Sequence, residues 1–250
     1  MAETILVTGA SAGFGQAICR RLVADGHRVI GAARRIEKIQ ALHEELGEAF
    51  YPLQMDVTDL TQVDHALASL PADWEQIDVL VNNAGLALGL APAQKAEIAD
   101  WLTMIQTNII GLTYLTRQIL PQMVERNDGY VINMGSTAGT VPYPGANVYG
   151  ASKAFVKQFS LNLRADLAGK QIRVTNIEPG LCEGTEFSSV RFKGDEKRVE
   201  ALYRDTHAIQ PEDIANTVSW LIQQPKHVNV NRIEIMPVSQ TFGPQPVYRG

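Results

Sequence analysis

The chain has 250 residues, 45% of them hydrophobic and 20% charged, the balance of a folded globular protein rather than a disordered one. Its formal charge is −5, and no Lys/Arg run exceeds a pair such as Arg34-Arg35. This excludes the concentrated basic face that nucleic acids and anionic membranes require. The two cysteines, Cys19 and Cys182, form no metal-ligand spacing and read as reduced thiols. Neither a secretory signal nor an apolar stretch of about 18 residues is visible, so a cytoplasmic location is expected.

Short apolar runs alternate with helical patterns along the chain. Thr4–Thr8, Arg28–Ala32, Phe50–Met55, Asp78–Val81, Tyr130–Met134, Arg173–Ile177 and Arg232–Met236 read as strands. Near-continuous apolar runs suit parallel strands covered on both faces, where hydrophobic alternation is lost. Between them the spacing predicts helices over Gly13–Asp25, Arg35–Leu46, Leu60–Ser69, Ile98–Arg126, Tyr149–Leu167 and Pro211–Gln223. The last begins Gln210-Pro211-Glu212-Asp213, with proline in the first turn and two acids at the positive dipole end. The alternation predicts a single α/β domain over residues 1–240, a doubly wound parallel sheet of about seven strands with helices on both faces. Glu183 to Lys193 carries no regular pattern and reads as part of a site lid, placed at about 183–206. Residues 241–250, with two prolines, read as an extended C-terminal arm.

The first strand runs into Gly9-Ala10-Ser11-Ala12-Gly13-Phe14-Gly15 and then directly into a helix. Glycines there allow a tight turn and let backbone N–H groups approach a pyrophosphate at the helix's positive end. The spacing is G-x-x-x-G-x-G, which is not the common dinucleotide fingerprint, so the strand–turn–helix context carries the assignment. At the end of the second strand an acid would select NAD and an arginine NADP. This chain has Arg34-Arg35 and no acid before Glu37. A guanidinium can grip a 2′-phosphate, so NADP(H) is the expected cofactor. Asp56, after the third strand, is placed either to accept from an adenine amino group or to cap the following helix.

Ser136 follows the fifth strand, Tyr149 comes thirteen positions later, and Lys153 lies one helical turn beyond. A spacing of four puts the phenol and the ammonium on one helix face. A cation there favours phenolate and predicts a lowered tyrosine pKa, while the serine hydroxyl can hold a substrate oxygen.

Thr8–Gly15, Asn82-Asn83-Ala84-Gly85, Asn108, Ser136, Tyr149-Gly-Ala-Ser-Lys153 and Pro179-Gly180 together resemble the short-chain dehydrogenase/reductase family. The resemblance implies a Rossmann-like domain in which Tyr149 transfers the proton and Lys153 lowers its pKa and binds nicotinamide ribose. It implies that Ser136 polarises the substrate carbonyl and that Asn108 holds a water in a relay to Lys153. Asn83, Ala84 and Gly85 would line the adenosine side, and Pro179 and Gly180 would also touch the cofactor. The family usually has a threonine four positions after that glycine; here Thr185 comes five positions after it. A homotetramer or dimer is implied as well, joined through the helices at Ile98–Arg126 and Tyr149–Leu167.

Glu178–Asp195 and Met236–Gln240 look more specifically like NADP-dependent 3-hydroxy acid dehydrogenases, which act on serine and allo-threonine, with sulfoacetaldehyde reductases nearby. The expected reaction therefore interconverts a small anionic β-hydroxy compound and its aldehyde or ketone by hydride transfer. Arg191 and Lys193 in the lid, and Tyr248 with Arg249 in the arm, are candidates for gripping the anion. Met134, Thr137, Tyr143 and Phe187 are candidate pocket walls. Lone arginines can equally be solvated surface charges. Other readings are a reductase of a larger ketone, such as a sugar or steroid, and a non-catalytic NADP(H)-binding sensor. Trp101 and Trp220 read as packing or interface residues. His207 and His227 lack metal-ligand spacing, and no catalytic metal is expected.

Overall fold

A computed structural model describes residues 2–243 of the chain. β1 (Thr4–Thr8) leads into α1 (Gly13–Ala24), β2 (Arg28–Ala33) into α2 (Ile36–Leu46), and β3 (Phe50–Gln54) into α3 (Leu60–Ala68). β4 (Val79–Asn82) is followed by α4 (Ile98–Ile105), a π-helical turn at Gln106–Gly111, and α5 (Leu112–Arg126). β5 (Gly129–Met134) precedes α6 (Asn147–Asp166), and β6 (Ile172–Pro179) precedes the short α7 (Phe187–Arg191) and α8 (Glu196–Tyr203). α9 (Pro211–Gln223) and β7 (Arg232–Ile235) complete the described fold.

The seven strands form one sheet in the order β3-β2-β1-β4-β5-β6-β7, every neighbouring pair parallel. Each strand expected from the apolar runs is present, with ends shifted by a residue or two. Central strands such as β1 are buried along their whole length, which explains why their sequences show no alternation. Ile5 and Val7 pack against Ile18 and Leu22 of α1 and Val218 and Leu221 of α9 on one face. Leu6, Leu80 and Val131 pack against Val63 of α3, Leu115 and Ile119 of α5 and Leu163 of α6 on the other. Each of these aliphatic side chains contributes about 1.5–3 kcal/mol by burial. α9 opens with the expected proline and with a reciprocal cap, in which Gln210 N donates to Asp213 Oδ2 at 2.9 Å.

Two expected elements differ. The long helix over Ile98–Arg126 is interrupted by the π turn, where the wider coil sets Gly111 against the Val57 carbonyl. A Cβ on Gly111 would lie 2.6 Å from that oxygen. The lid is also not irregular, since it holds α7 and α8. α7 is too short to show an amphipathic period, and α8 is announced only by its cap, Asp195 accepting from Arg198 N at 3.2 Å.

Polar residues tie the ends of β4 to β7 from within. Asn82, Asn133, Asn176 and Arg232 share one register row. Asn82 Nδ2 donates to Asn133 Oδ1 at 2.8 Å and to Thr116 Oγ1 at 2.9 Å, and Asn133 Nδ2 donates to Ser160 Oγ at 2.8 Å. Glu178, wholly buried, accepts from Asn176 Nδ2 and from two nitrogens of Arg232, each at 2.7 Å. Arg232→Ala would leave this carboxylate without its cation. The expected cost is about 3 kcal/mol, the low end for a broken buried pair because the Arg232 side chain is itself 40% exposed. A lower urea midpoint at pH 7 checks this, and an unchanged midpoint contradicts it.

Candidate active site

The carboxyl ends of the parallel strands surround a cavity of about 710 Å³. Gly9, Arg34, Asp56, Asn83, Ser136 and Pro179 each follow or end a different strand from β1 to β6, and all line it. Gly9 and Gly13 have φ of +70° and +51°, the left-handed region that suits glycine. Gly15 is fixed by close approach, since a Cβ there would lie 2.2 Å from the Gly9 carbonyl oxygen. α1 starts behind Ala12 with no side-chain cap and no acid in its first turn, so its first N–H groups have no side-chain acceptor. Such a glycine cradle at a helix N-terminus fits a pyrophosphate.

At one end of this cavity stand Ser11, Arg34 and Arg35. Arg35 donates from Nε and Nη2 to Ser11 Oγ at 3.1 and 2.9 Å and pairs with Glu186 at 2.9 Å. Arg34 is exposed, and its carbonyl accepts from Gln54 Nε2 at 3.3 Å. Two adjacent arginines fit the 2′-phosphate of NADP better than a bare ribose. Asp56 Oδ1 accepts from the N–H and the hydroxyl of Thr58. The cap of α3 is Asp59, which accepts from Gln62 N at 3.0 Å, so the capping alternative for Asp56 is set aside. Phe14, Asn83, Ala84 and Gly85 line the same cavity.

At the other end, Ser136, Tyr149 and Lys153 converge. Lys153 Nζ donates to the Met134 carbonyl at 2.8 Å and sits 5.9 Å from the Tyr149 ring centre. The expectation that Lys153 lowers the tyrosine pKa does not describe the protein alone. Burial pushes the Tyr149 hydroxyl up to about 12, and the Ser136 hydroxyl and Arg191 only partly oppose it. Burial also pulls Lys153 down to about 8, because a buried ammonium with one protein acceptor is poorly solvated. Ser136 Oγ accepts from Ala138 N at 3.1 Å and lies 3.4 Å from the Pro179 carbonyl. Asn108 lies inside the π turn, and its side-chain amide is bonded to protein partners. It pairs with both backbone groups of Leu86 at 2.9 Å and donates to Ser152 Oγ at 3.0 Å, bracing the segment after β4 against α6.

The lid covers both ends. Thr185 packs on the glycine turn, 3.0 Å from where a Gly13 Cβ would be, so the shifted threonine still reaches it. Phe187 packs on Tyr149 with ring centres 5.7 Å apart. Arg191 donates to Tyr143 Oη at 2.8 Å, and its guanidinium lies 5.4 Å from the Tyr149 ring centre. Lys193 is not an anion grip, since it forms an ion pair with Asp100 at 2.8 Å. Thr137, Tyr143, Met134 and Gly180 line the cavity. Tyr248 and Arg249 lie outside the described residues. Several lining residues carry no site role from the sequence, among them Glu186, Cys182, and Gln240, whose Oε1 accepts from Leu181 N at 2.7 Å. Only the charge of Glu186, next to Thr185, offers a signal. Cys19 is buried and Cys182 half-buried, and both are free thiols. Trp101 packs beside the Tyr149 cluster, while Trp220 on α9 is exposed. Among the described residues there is no cluster of three or more metal-ligand side chains and no helix long and apolar enough to cross a membrane.

Known proteins resemble this chain along its whole length. Residues 3–196 match the family model described as short chain dehydrogenase. A protein of Salmonella typhi named NADP-dependent 3-hydroxy acid dehydrogenase YdfG is 59% identical over 245 residues, 98% of this chain and 99% of its own. A serine 3-dehydrogenase of Agrobacterium fabrum is 51% identical over 249 residues, 100% of this chain and 99% of its own. Among solved structures, the closed form of a serine dehydrogenase complexed with NADP+ has a TM-score of 0.97 and 57% identity. That match covers 99% of this chain and 100% of that one.

The buried ammonium has a thermodynamic signature. Lys153 has a folded pKa near 8 against 10.5 for an ordinary lysine, so the unfolded chain holds more protons between those values. Stability therefore rises with pH across that window, and the full penalty is felt below it. Lys153→Met is expected to match or exceed the parent's thermal midpoint at pH 7 and to lose that advantage by about pH 10. A variant whose standing against the parent improves on going from pH 7 to alkaline pH reverses the sign.

Proposed function

The chain is an NADP(H)-dependent oxidoreductase that belongs to the short-chain dehydrogenase family, and we propose that it interconverts a small β-hydroxy acid and its carbonyl form. The observation that carries the substrate class is the Arg191 guanidinium, held 5.4 Å from the Tyr149 ring inside the cavity. A cation beside the proton carrier suits an anionic group a carbon or two from the reacting oxygen. The relatives at 51% and 59% identity, named for serine and 3-hydroxy acids, support the same class.

NADP(H), when bound, supplies or accepts the hydride. Ser11, Arg34 and Arg35 would hold its 2′-phosphate, the turn from Gly9 to Gly15 its pyrophosphate, and Lys153 its nicotinamide ribose. Asp56, Asn83, Ala84 and Gly85 would line its adenosine, with Thr185, Pro179 and Gly180 closing the nicotinamide side. In the reducing direction Tyr149 gives its proton to the substrate oxygen while Ser136 donates a hydrogen bond to the same atom. A phenol with a raised pKa still protonates an aliphatic alkoxide readily, because the alkoxide is far more basic. In the oxidising direction the substrate's hydroxyl proton goes to the Tyr149 phenolate, a form that Ser136 and Arg191 favour. Phe187 and Tyr143 wall the reacting atoms from water.

Self-association fits the surface. Ile98 and Leu102 on α4 and Phe155 on α6 are large apolar side chains left exposed, and they lie on the helices expected to join subunits. The sulfonate pair isethionate and sulfoacetaldehyde is a variant of the same reading, since a guanidinium takes either monoanion.

Tyr149→Phe is expected to lower turnover by about a thousandfold, the usual worth of a positioned proton carrier, with NADPH affinity kept. Absorbance of reduced nicotinamide and a fluorescence titration measure the two, and substantial residual turnover contradicts the role. A panel of serine, allo-threonine, 3-hydroxypropionate, isethionate and an uncharged secondary alcohol tests the substrate class. Arg191→Ala is expected to raise KM for the anions by about ten- to a hundredfold, the loss of a charged hydrogen bond, and to leave KM for the uncharged alcohol as it was. Any change in turnover through the Tyr149 phenolate is common to all substrates. Equal effects on KM for charged and uncharged substrates would remove Arg191 from substrate recognition.

A further inference from the structure

Glu186 is a carboxylate at the end of the cavity where the two arginines stand. Arg35 Nη1 donates to its Oε1 at 3.2 Å, Arg35 Nη2 lies 2.9 Å from its Oε2, and Lys38 Nζ donates to Oε1 at 2.9 Å. Two cations at the start of α2 thus share one lid carboxylate, and Arg35 also holds Ser11 of the glycine turn through Nε and Nη2. Three of the four groups, Ser11, Arg35 and Glu186, line the cavity. The glycine turn has no acid of its own, so Glu186 is the anion held against the guanidinium expected to meet the cofactor.

We infer that Glu186 is a specificity-determining residue of the lid, an internal anion that competes with the 2′-phosphate of NADP(H) for Arg35. The inference rests on the reading of Arg34 and Arg35 as the 2′-phosphate site. A 2′-phosphate brings about 1.5 to 2 negative charges where Arg35 already holds one carboxylate. It must share the guanidinium with Glu186 and lie beside that carboxylate, and like charges at this spacing repel. Lys38 keeps Glu186 in place, so the carboxylate does not simply swing into solvent. NAD(H) carries a neutral hydroxyl at the same position and feels little of this. Glu186 therefore narrows the margin by which the two arginines favour the phosphorylated cofactor. The pair is half exposed, so its effect is screened and modest.

The test is a fluorescence titration of NADPH and NADH on the full chain without substrate, comparing the parent, Glu186→Gln and Arg35→Ala. Glu186→Gln keeps the side chain's size on an exposed position and removes only the charge. It is expected to tighten NADPH by about three- to tenfold and to change NADH by less than about twofold. Arg35→Ala is expected to weaken NADPH selectively. If Arg35→Ala does so while Glu186→Gln leaves NADPH unchanged, weakens it, or shifts both cofactors alike, the competition is overturned and the phosphate site stands. If Arg35→Ala weakens both cofactors equally, the phosphate site falls and the inference with it.

Discussion

The site depends on a seam between β1 and β4, the two central strands from which the chain winds outward in opposite directions. Thr8 Oγ1 accepts from the backbone N–H of Asn83 at 3.0 Å and of Ala84 at 2.9 Å, and Asn83 Nδ2 donates back to the Thr8 carbonyl at 2.8 Å. These bonds close the strand ends where the ladder itself stops. They also fill the space beneath the glycine turn: a Cβ on Gly9 would lie 2.9 Å from Asn83 Nδ2, and one on Gly15 would lie 2.7 Å from it. The turn is thus pinned from below by an asparagine, which leaves room only for glycine at positions 9 and 15. Its height over the sheet sets where α1 begins, and with it the position of the N–H groups that no side chain caps.

The opposite end of the cavity is held by a different logic. Tyr149 and Lys153 both lie in a buried setting that opposes their charged forms. α6 tolerates this because its other inward residues are well satisfied. Ser152 joins Asn108, Ser160 joins Asn133, and Asn133 joins Asn82, which carries the chain of bonds back to β4. The π turn that holds Asn108 takes part as well, since Asn108 fixes Leu86 directly after the Asn83–Gly85 wall. Polar residues too costly to bury singly are stable as two bonded groups, one through Asn108 and Ser152 and one through Asn82, Asn133 and Ser160. Together they fix α6, and with it Tyr149, relative to the strand ends.

The strands are legible in the sequence because two-sided burial leaves a distinct apolar run, and the glycine turn because its chemistry is local. Ser136, Tyr149 and Lys153 are legible because one turn of helix and one strand end suffice to place them. The π turn is hidden, for Gln106–Gly111 reads as ordinary helix and only its contact with Val57 marks the wider coil. α7 is hidden by its length. The direction of the Tyr149 shift escapes a reading by spacing, which reports the nearby cation but not the depth of burial, and burial prevails. Lys193 escapes it for a related reason: proximity in sequence to Arg191 says nothing of Asp100, which lies far off along the chain and captures it. In each case the missing information is a contact distant in sequence.

α7 is where the two ends meet. Thr185 and Glu186 precede it and rest on the glycine turn and on Arg35, while Phe187 and Arg191 within it rest on Tyr149 and Tyr143. A helix of five residues rises only about 7.5 Å, so it has little room to bend between these contacts. Its far end is tied to the β4 side of the cavity, with Gly89 N donating to the Arg191 carbonyl at 2.9 Å. A displacement of the lid at Arg35 must therefore move Arg191 or break that bond. The residues proposed for the cofactor and those proposed for the substrate are consequently joined by one short helix that is tied at both ends.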